Sequence, residues 1–448
     1  MGGVKASGGS NAQPPKTEPV SAYSNAQQPK AEPVAAYSDV QQPKAEPVPT
    51  YSNVQQPQAF CDRHEAAGCA AKRPWQETVK TPCFVVDEAR LIHNLEILSG
   101  VMERTGCRIL LAQKAFSMFY AYPLIRKYLC GTTASGLYEA RLGYECFGKE
   151  THVYCPAYKA EEFEELLQYA DDIVFNSPAQ LKRFGPAARS AGKSVGLRIN
   201  PRCSTQDGHA IYDPCAPGSR LGTTLEQFDE SCLPLLDGLH FHTLCEQDSD
   251  ALEITAAAVE KQFGPYLSSM KWLNMGGGHH ITRPGYDIPR LERIIRHFQD
   301  TYGLTVYLEP GEAVVLNAGY LVSGVLETLE NDMHLAILDT SAACHMPDVL
   351  EMPYRPPVTG AGKPGEKAWT YRLGGPTCLA GDVIGDYSFD APLKAGSRLI
   401  FEDMALYTMV KTNTFNGMAL PDILWLGKDG NITTVKKFGY ETFKERLS

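Results

Sequence analysis

From about residue 105 onward, short apolar runs alternate with longer amphipathic stretches, regularly enough to predict a fold. The runs are Ile109–Ala112, Thr132–Ala134, His152–Tyr154, Ile173–Phe175, Val195–Ile199, Leu239–Phe241, Trp272–Met275 and Val306–Leu308. Each is short and apolar on both sides, as buried parallel strands are. Between them, Ala160–Tyr169, Pro178–Ala191, Asp250–Ser269 and Arg290–Thr301 carry apolar residues at helical spacing. This alternation predicts a parallel (β/α)8 barrel over residues 105–315. Past Leu316 the pattern becomes β-rich, with runs at Ala336–Leu338, Ser397–Phe401, Tyr407–Val410 and Ile423–Trp425. The last is followed by Lys428-Asp429-Gly430-Asn431, a hairpin turn. A second, β-rich domain over 316–448 is therefore expected. Residues 76–104 lead into the barrel, and the run Cys83–Val86 among them reads as a strand that joins the second domain.

Residues 1–75 follow neither pattern. A Pro-rich unit recurs every fourteen residues and brings Pro15, Pro29, Pro43 and Pro57 into register. Such a composition buries too little apolar surface to offset the entropy of ordering, which predicts a disordered arm with polyproline II character. Residues 1–59 carry four lysines and four acids, 4 − 4 = 0, so the net charge of −10 belongs to the remainder. An acidic body argues against nucleic acid and suits a cationic ligand. The thirteen cysteines are scattered and include no Cys-x-x-Cys pair. No long apolar segment is present either, so reduced thiols in a cytoplasmic protein, away from membranes, are expected.

A barrel places its chemistry at the C-terminal ends of its strands. Lys114 follows the first predicted strand, His242 the sixth, Gly276-Gly277-Gly278 the seventh, and Glu309 ends the eighth. A lysine just past a strand end ordinarily reaches out to water, but one kept at a barrel rim has a depressed pKa and serves as an amine nucleophile. All four features have a use if the ligand is pyridoxal 5'-phosphate. Lys114 holds the cofactor covalently, Glu309 keeps the pyridine nitrogen protonated, and His242 stacks on the ring. The three glycines offer backbone N–H groups to the phosphate, worth about 4–9 kcal/mol if all three bond to it. A rival constellation exists. His240 and His242 fall on one face of a strand, as in metal-dependent barrel hydrolases, with His279 and His280 as further ligands. That pair normally belongs to the first strand, and the rival leaves Lys114 and Glu309 without a use, so no metal is expected.

The order Lys114, His242, Gly276–Gly278, Glu309-Pro310-Gly311, Gly375-Pro376-Thr377-Cys378 and Tyr407-Thr408 resembles the alanine-racemase-fold pyridoxal-phosphate decarboxylases. From about residue 78 to the C-terminus the chain is similar to the carboxynorspermidine/carboxyspermidine branch of that group. Long strings carry the likeness, among them 213–222, 238–247, 274–282, 344–356 and 374–387. The resemblance implies decarboxylation of a carboxylated triamine in polyamine biosynthesis. It also implies catalytic roles for Lys114 and Cys378, with Tyr407 as a further phosphate ligand. Cys378 would reach in from a partner subunit, so a homodimer with shared active sites is implied.

Departures from the wider group bear on the substrate. Where ornithine and diaminopimelate decarboxylases carry an arginine after Glu-Pro-Gly, this chain has Glu312, leaving Arg198 or Arg220 to compensate at the phosphate. Where diaminopimelate decarboxylases use Met-Arg-Pro to hold a distal carboxylate, the chain reads Met346-Pro347-Asp348, with Glu351 close behind. Acids in place of a cation suit a tail that ends in an amine. Glu246, Asp348, Glu351 and Asp382 are the substrate-tail candidates. The alternatives are a diaminopimelate-like decarboxylase, a metal hydrolase using His240 and His242, and a non-catalytic regulatory homologue. Retention of both Lys114 and Cys378 argues against the last.

Overall fold

The structure is a computed structural model that describes residues 74–206 and 210–448. The predicted arm lies outside the described residues except for Pro74 and Trp75, which open a short 3-10 helix, Pro74–Glu77. Trp75 is buried there against Tyr320, so the arm ends earlier than expected. Eight parallel strands close into a barrel: β2 Arg108–Ala112, β3 Gly131–Ala134, β4 Glu150–Tyr154, β5 Asp172–Phe175, β6 Ser194–Arg198, β7 Gly238–His240, β8 Trp272–Asn274 and β9 Thr305–Leu308. Each predicted run falls on one of these strands, displaced by at most a residue or two. Helices pack around the outside, including Glu88–Thr105, Ala160–Tyr169, Pro178–Ser190, Ser249–Leu267 and Ile288–Tyr302. Their ends follow local chemistry. Asp87 caps Glu88–Thr105 by accepting from the Ala89 and Arg90 amides, and Gly106, at φ 73°, terminates it in the left-handed region that glycine tolerates.

The barrel interior is filled rather than hollow. Leu110, Val174, Trp272 and Tyr307 form a packed inner cluster. Trp272 lies where Gly196 and Gly238 present no side chain, and a Cβ at either position would run into the indole. The indole N–H donates to Ser194 Oγ at 2.9 Å. Below this plug, His152 forms ion pairs with Asp172 at 3.1 Å and Glu150 at 3.7 Å. Arg108 donates to both oxygens of Glu150, at 2.6 and 3.2 Å. Above it, the strand ends open onto the candidate site.

The second domain is a mostly antiparallel sheet in the order β13-β12-β11-β10-β1-β15-β16, with β14 beside β10. Its strands are β1 Cys83–Asp87, β10 Gly319–Glu330, β11 His334–Leu338, β12 Trp369–Gly374, β13 Val383–Phe389, β14 Arg398–Glu402, β15 Asp422–Leu426 and β16 Ile432–Lys436. β1 pairs with β10 and β15, so the strand before the barrel does join the sheet that follows it. β15 and β16 form the predicted hairpin. The run Tyr407–Val410 is not a strand. Tyr407 adopts φ 43°, and its amide donates to Ala115 O at 2.8 Å, which turns the chain across the barrel mouth. A bulky residue held in the left-handed region cannot continue a pleated ladder.

Candidate active site

Lys114 stands two residues beyond β2 on a turn closed by bonds from Gln113 N to Thr133 O and from Ala115 N to Ala112 O, each 3.1 Å. The fully buried Gln113 anchors that turn, donating to Glu139 O at 2.8 Å and accepting from Tyr122 Oη at 2.9 Å. Lys114 thereby points into a cavity of about 590 Å³ at the barrel mouth. Its surface is open to that cavity and ringed by protein, so the loss of bulk water pulls its pKa below the ordinary lysine value. The Arg198 guanidinium pushes the same way, and Glu309 opposes it. A lysine held this way has a larger share of neutral, nucleophilic amine at a given pH.

Glu309 forms the floor of this cavity. Its amide donates to Gly276 O at 2.7 Å, and its Oε1 accepts from Asn274 Nδ2 at 2.8 Å. Burial alone would raise its pKa. The nearby His240 ring, with His152 and the Asn274 bond, outweighs burial and holds the carboxyl below its ordinary range. His240 Nε2 lies 3.5 Å from Glu309 Oε2, and neither His240 ring nitrogen has a well-aligned hydrogen-bond partner among the described residues. Burial keeps His240 below its own ordinary value, so at neutral pH it offers Glu309 a neutral imidazole dipole rather than a full charge. Arg198 lies over the Tyr154 ring at 4.5 Å and donates to His242 O at 3.2 Å, which fixes the cation beside Lys114. Asn274 and this placement of Arg198 were not predicted. The only signal for Asn274 is that it opens the string ending in the triple glycine.

His242 also lines the cavity, and burial keeps its imidazole neutral. Its Nδ1 accepts from Gly277 N at 3.3 Å, leaving the proton on Nε2. The glycines contribute less than the three donors expected. Gly276 N is engaged by Asn274 Oδ1 at 2.9 Å and Gly277 N by His242, so among the described residues Gly278 alone of the three keeps its N–H without a protein acceptor. Side chains at 276 and 278 would strike the backbone of Phe241 and Leu244, and both residues have positive φ, 69° and 81°. Only glycine fits this cradle. Tyr407 and Glu312 complete that end of the cavity. Burial raises the Tyr407 phenol well above its ordinary value, so it remains a hydrogen-bond donor. Glu312, at the position of the missing arginine, lies 3.2 Å from His280 Nε2.

Tyr212, Cys245, Glu312 and Tyr407 also line a second chamber of about 190 Å³ behind the first. Of the tail candidates, Glu246 and Asp348 line this chamber. Glu351 does not, and its side chain is 58 % exposed. Asp382 is buried elsewhere, where it accepts from Thr377 Oγ1 at 2.7 Å and Ala343 N at 3.2 Å and so ties the Cys378 loop down. Asp348 and Glu351 are both met by Lys411, which the sequence reading overlooked. Cys378 is exposed and lines neither chamber; its amide donates to Asn416 Oδ1 at 2.7 Å.

These residues fit pyridoxal phosphate. There is a desolvated lysine, a carboxylate floor, a neutral imidazole, a cradle that a Cβ would fill, and a phenol donor. The ligand atoms of His240, His242 and Glu309 also lie within 4.8 Å of one another, so the geometry alone admits a metal as well. Relatives decide between the two. Residues 49–405 match the model of the pyridoxal-dependent decarboxylases with a C-terminal sheet domain. The carboxynorspermidine/carboxyspermidine decarboxylase of Campylobacter jejuni is 41 % identical over 381 residues, 83 % of this chain and 99 % of that one. The carboxyaminopropylagmatine decarboxylase of Synechocystis is 43 % identical over 378 residues, 84 % of this chain and 97 % of that one. The crystal structure of carboxynorspermidine decarboxylase from Campylobacter jejuni, complexed with norspermidine, superposes with a TM-score of 0.76 at 40 % identity and covers 82 % of this chain and 100 % of that one. A barrel rim built around Lys114 and Glu309, a sheet domain behind it and relatives matched over nearly their whole length agree: the chain belongs to the pyridoxal-dependent decarboxylases with a C-terminal sheet domain.

Proposed function

We propose that this chain is a cytoplasmic homodimeric enzyme that decarboxylates a polyamine carrying an amino-acid head, with carboxynorspermidine and carboxyspermidine as its substrates. One observation carries the reading: Lys114, with its pKa drawn down, faces Glu309 in a cavity that continues into a chamber lined by Glu246 and Asp348. The likeness to the two curated relatives supports it, since both are named for acting on carboxylated polyamines.

Pyridoxal phosphate supplies a ring that accepts the electron pair left when carbon dioxide departs. Lys114 Nζ would be the amine that holds the cofactor. The Glu309 carboxylate would keep a proton on the ring nitrogen, and Asn274 orients that carboxylate. The Gly278 N–H and Tyr407 hydroxyl would hold the phosphate, and His242 would stack on the ring. Arg198 holds Lys114 toward its neutral form. The Cys378 thiol, brought by the partner subunit, returns a proton to the substrate carbon. The acids of the second chamber receive the cationic tail.

A second reading shares this chemistry and differs in the tail. The 43 % identical relative is named for a guanidino-tailed substrate, so carboxyaminopropylagmatine is the competing candidate. Carbon dioxide release from the cofactor-loaded chain, measured with both carboxylated triamines, carboxyaminopropylagmatine and diaminopimelate, tests both. Preference for a triamine supports the reading, and preference for the guanidino substrate selects the second. Equal turnover of diaminopimelate would overturn the polyamine reading altogether.

A further inference from the structure

The acids of the second chamber already have an internal cation. Lys411 Nζ forms a close ion pair with Asp348 Oδ1, lies 3.6 Å from Glu351 Oε2, and sits 5.5 Å from the centroid of the Tyr407 ring. Its side chain is 35 % exposed, against 17 % for Asp348, so the lysine reaches inward from the mouth while the carboxylate lies deeper. Lys411, Asp348 and Tyr407 all line the chamber, and Tyr407 also lines the cofactor cavity. A tail anchored at Lys114 therefore enters past Tyr407 and meets the Asp348–Lys411 pair. The other guanidinium or ammonium lining the chamber, Arg283, is committed to Asp248.

Chemically, Lys411 is an ammonium on a flexible alkyl stem, the same group that ends an aminopropyl tail. We propose that Lys411 is a specificity-determining residue: in the substrate-free chain it occupies the place of the tail's terminal ammonium, and binding transfers Asp348 from Lys411 to the ligand. The inference rests on the polyamine reading above. It gives the chamber two properties. Asp348 stays neutralised when no substrate is present, which spares a half-buried unpaired charge. A ligand without a terminal cation cannot displace Lys411 and meets a closed ion pair.

Calorimetric titration of norspermidine, the triamine that the structural relative binds, into the pyridoxal-phosphate-loaded full chain tests this directly. Lys411→Met keeps the length of the stem and removes the competitor, so norspermidine should bind roughly tenfold more tightly, the effect of about 1.4 kcal/mol. Lys411→Arg substitutes a forked guanidinium that grips carboxylates more firmly, so binding should weaken. Asp348→Asn should weaken it in either background. Opposite signs for Met and Arg, with cofactor affinity unchanged, support the proposal. Unchanged or weaker binding by Lys411→Met would overturn it, as would a gain in Lys411→Arg if the methionine variant does not fold. Failure of the wild-type chain to bind norspermidine or to act on any carboxylated polyamine would overturn the polyamine reading as well. Wild-type turnover with an indifferent Lys411→Met removes the Lys411 inference alone.

Discussion

Two buried histidines in one barrel meet opposite fates. His152, below the Trp272 plug, has its pKa lowered by burial, but the carboxylates of Asp172 and Glu150 more than reverse this and raise it to about 10. His240, above the plug, has one carboxylate neighbour and two cations, Arg198 and Lys114, and burial carries it below its ordinary value. Both residues are 1 % exposed. Burial therefore does not decide protonation here; the balance of nearby charge does. The lower network is charge-matched within the protein. The upper one sets a single carboxylate, Glu309, against two cations and draws the pKa of Lys114 down.

This contrast predicts that changes above the plug act chiefly on chemistry and changes below it chiefly on stability. The largest effect belongs to Lys114→Ala, which should cut decarboxylation at least about 10³-fold, the scale on which an activated nucleophile is missed, with thermal stability little changed. Borohydride reduction of the loaded wild-type chain followed by peptide mapping should place the label on Lys114, and a label on another lysine would contradict the assignment. Next comes Asp172→Asn, which takes from His152 its nearest carboxylate, at 3.1 Å, and should destabilise the fold by about 3–5 kcal/mol in denaturant titrations. Its sign with pH is fixed. His152 has a folded pKa raised from 6.5 to about 10, so its contribution is complete below pH 6.5 and is lost as pH rises through 10. Wild-type stability should therefore fall across that window, and the slope should flatten in Asp172→Asn. A steep slope in the variant would break the comparison.

Glu309→Gln should lower turnover on the order of 10²-fold through loss of the proton-holding carboxylate, with stability largely kept. Mixing inactive Lys114→Ala and Cys378→Ala chains should restore about a quarter of wild-type activity if each site draws on two subunits, since mixed dimers contain one intact site. Demonstrated subunit exchange with no recovery would remove Cys378 from the shared site. The smallest effect is expected from His240→Gln, a roughly two- to tenfold loss of cofactor affinity by fluorescence titration, the worth of one hydrogen-bonding contact.

The alternation of apolar runs made the barrel and the rim positions of Lys114, His242 and Glu309 legible in the sequence, because parallel strands write a short-range signal. Other features depend on contacts that no local pattern encodes. Tyr407–Val410 looked like a strand because its residues favour one, yet a bond to Ala115 from nearly three hundred residues away holds Tyr407 in a left-handed turn. β10 was overlooked because its first half is buried and its second half exposed, so no single periodicity runs through it. Acid chemistry alone nominated Asp382, but burial and two internal bonds commit it to the Cys378 loop. Lys411 stayed hidden because its partner is 63 positions away.

Trp272 and the two glycines it lies against carry a consequence for how this chain can change over time. Alanine at Gly196 or Gly238 meets the indole, and a smaller residue at 272 leaves a void between two positions that cannot fill it. Either step alone is a fitness valley. Gly238→Ala combined with Trp272→Leu should recover much of what each loses singly. The three positions form one epistatic unit, inherited together or replaced together, and they tie the route by which the barrel drifts to the identity of one side chain.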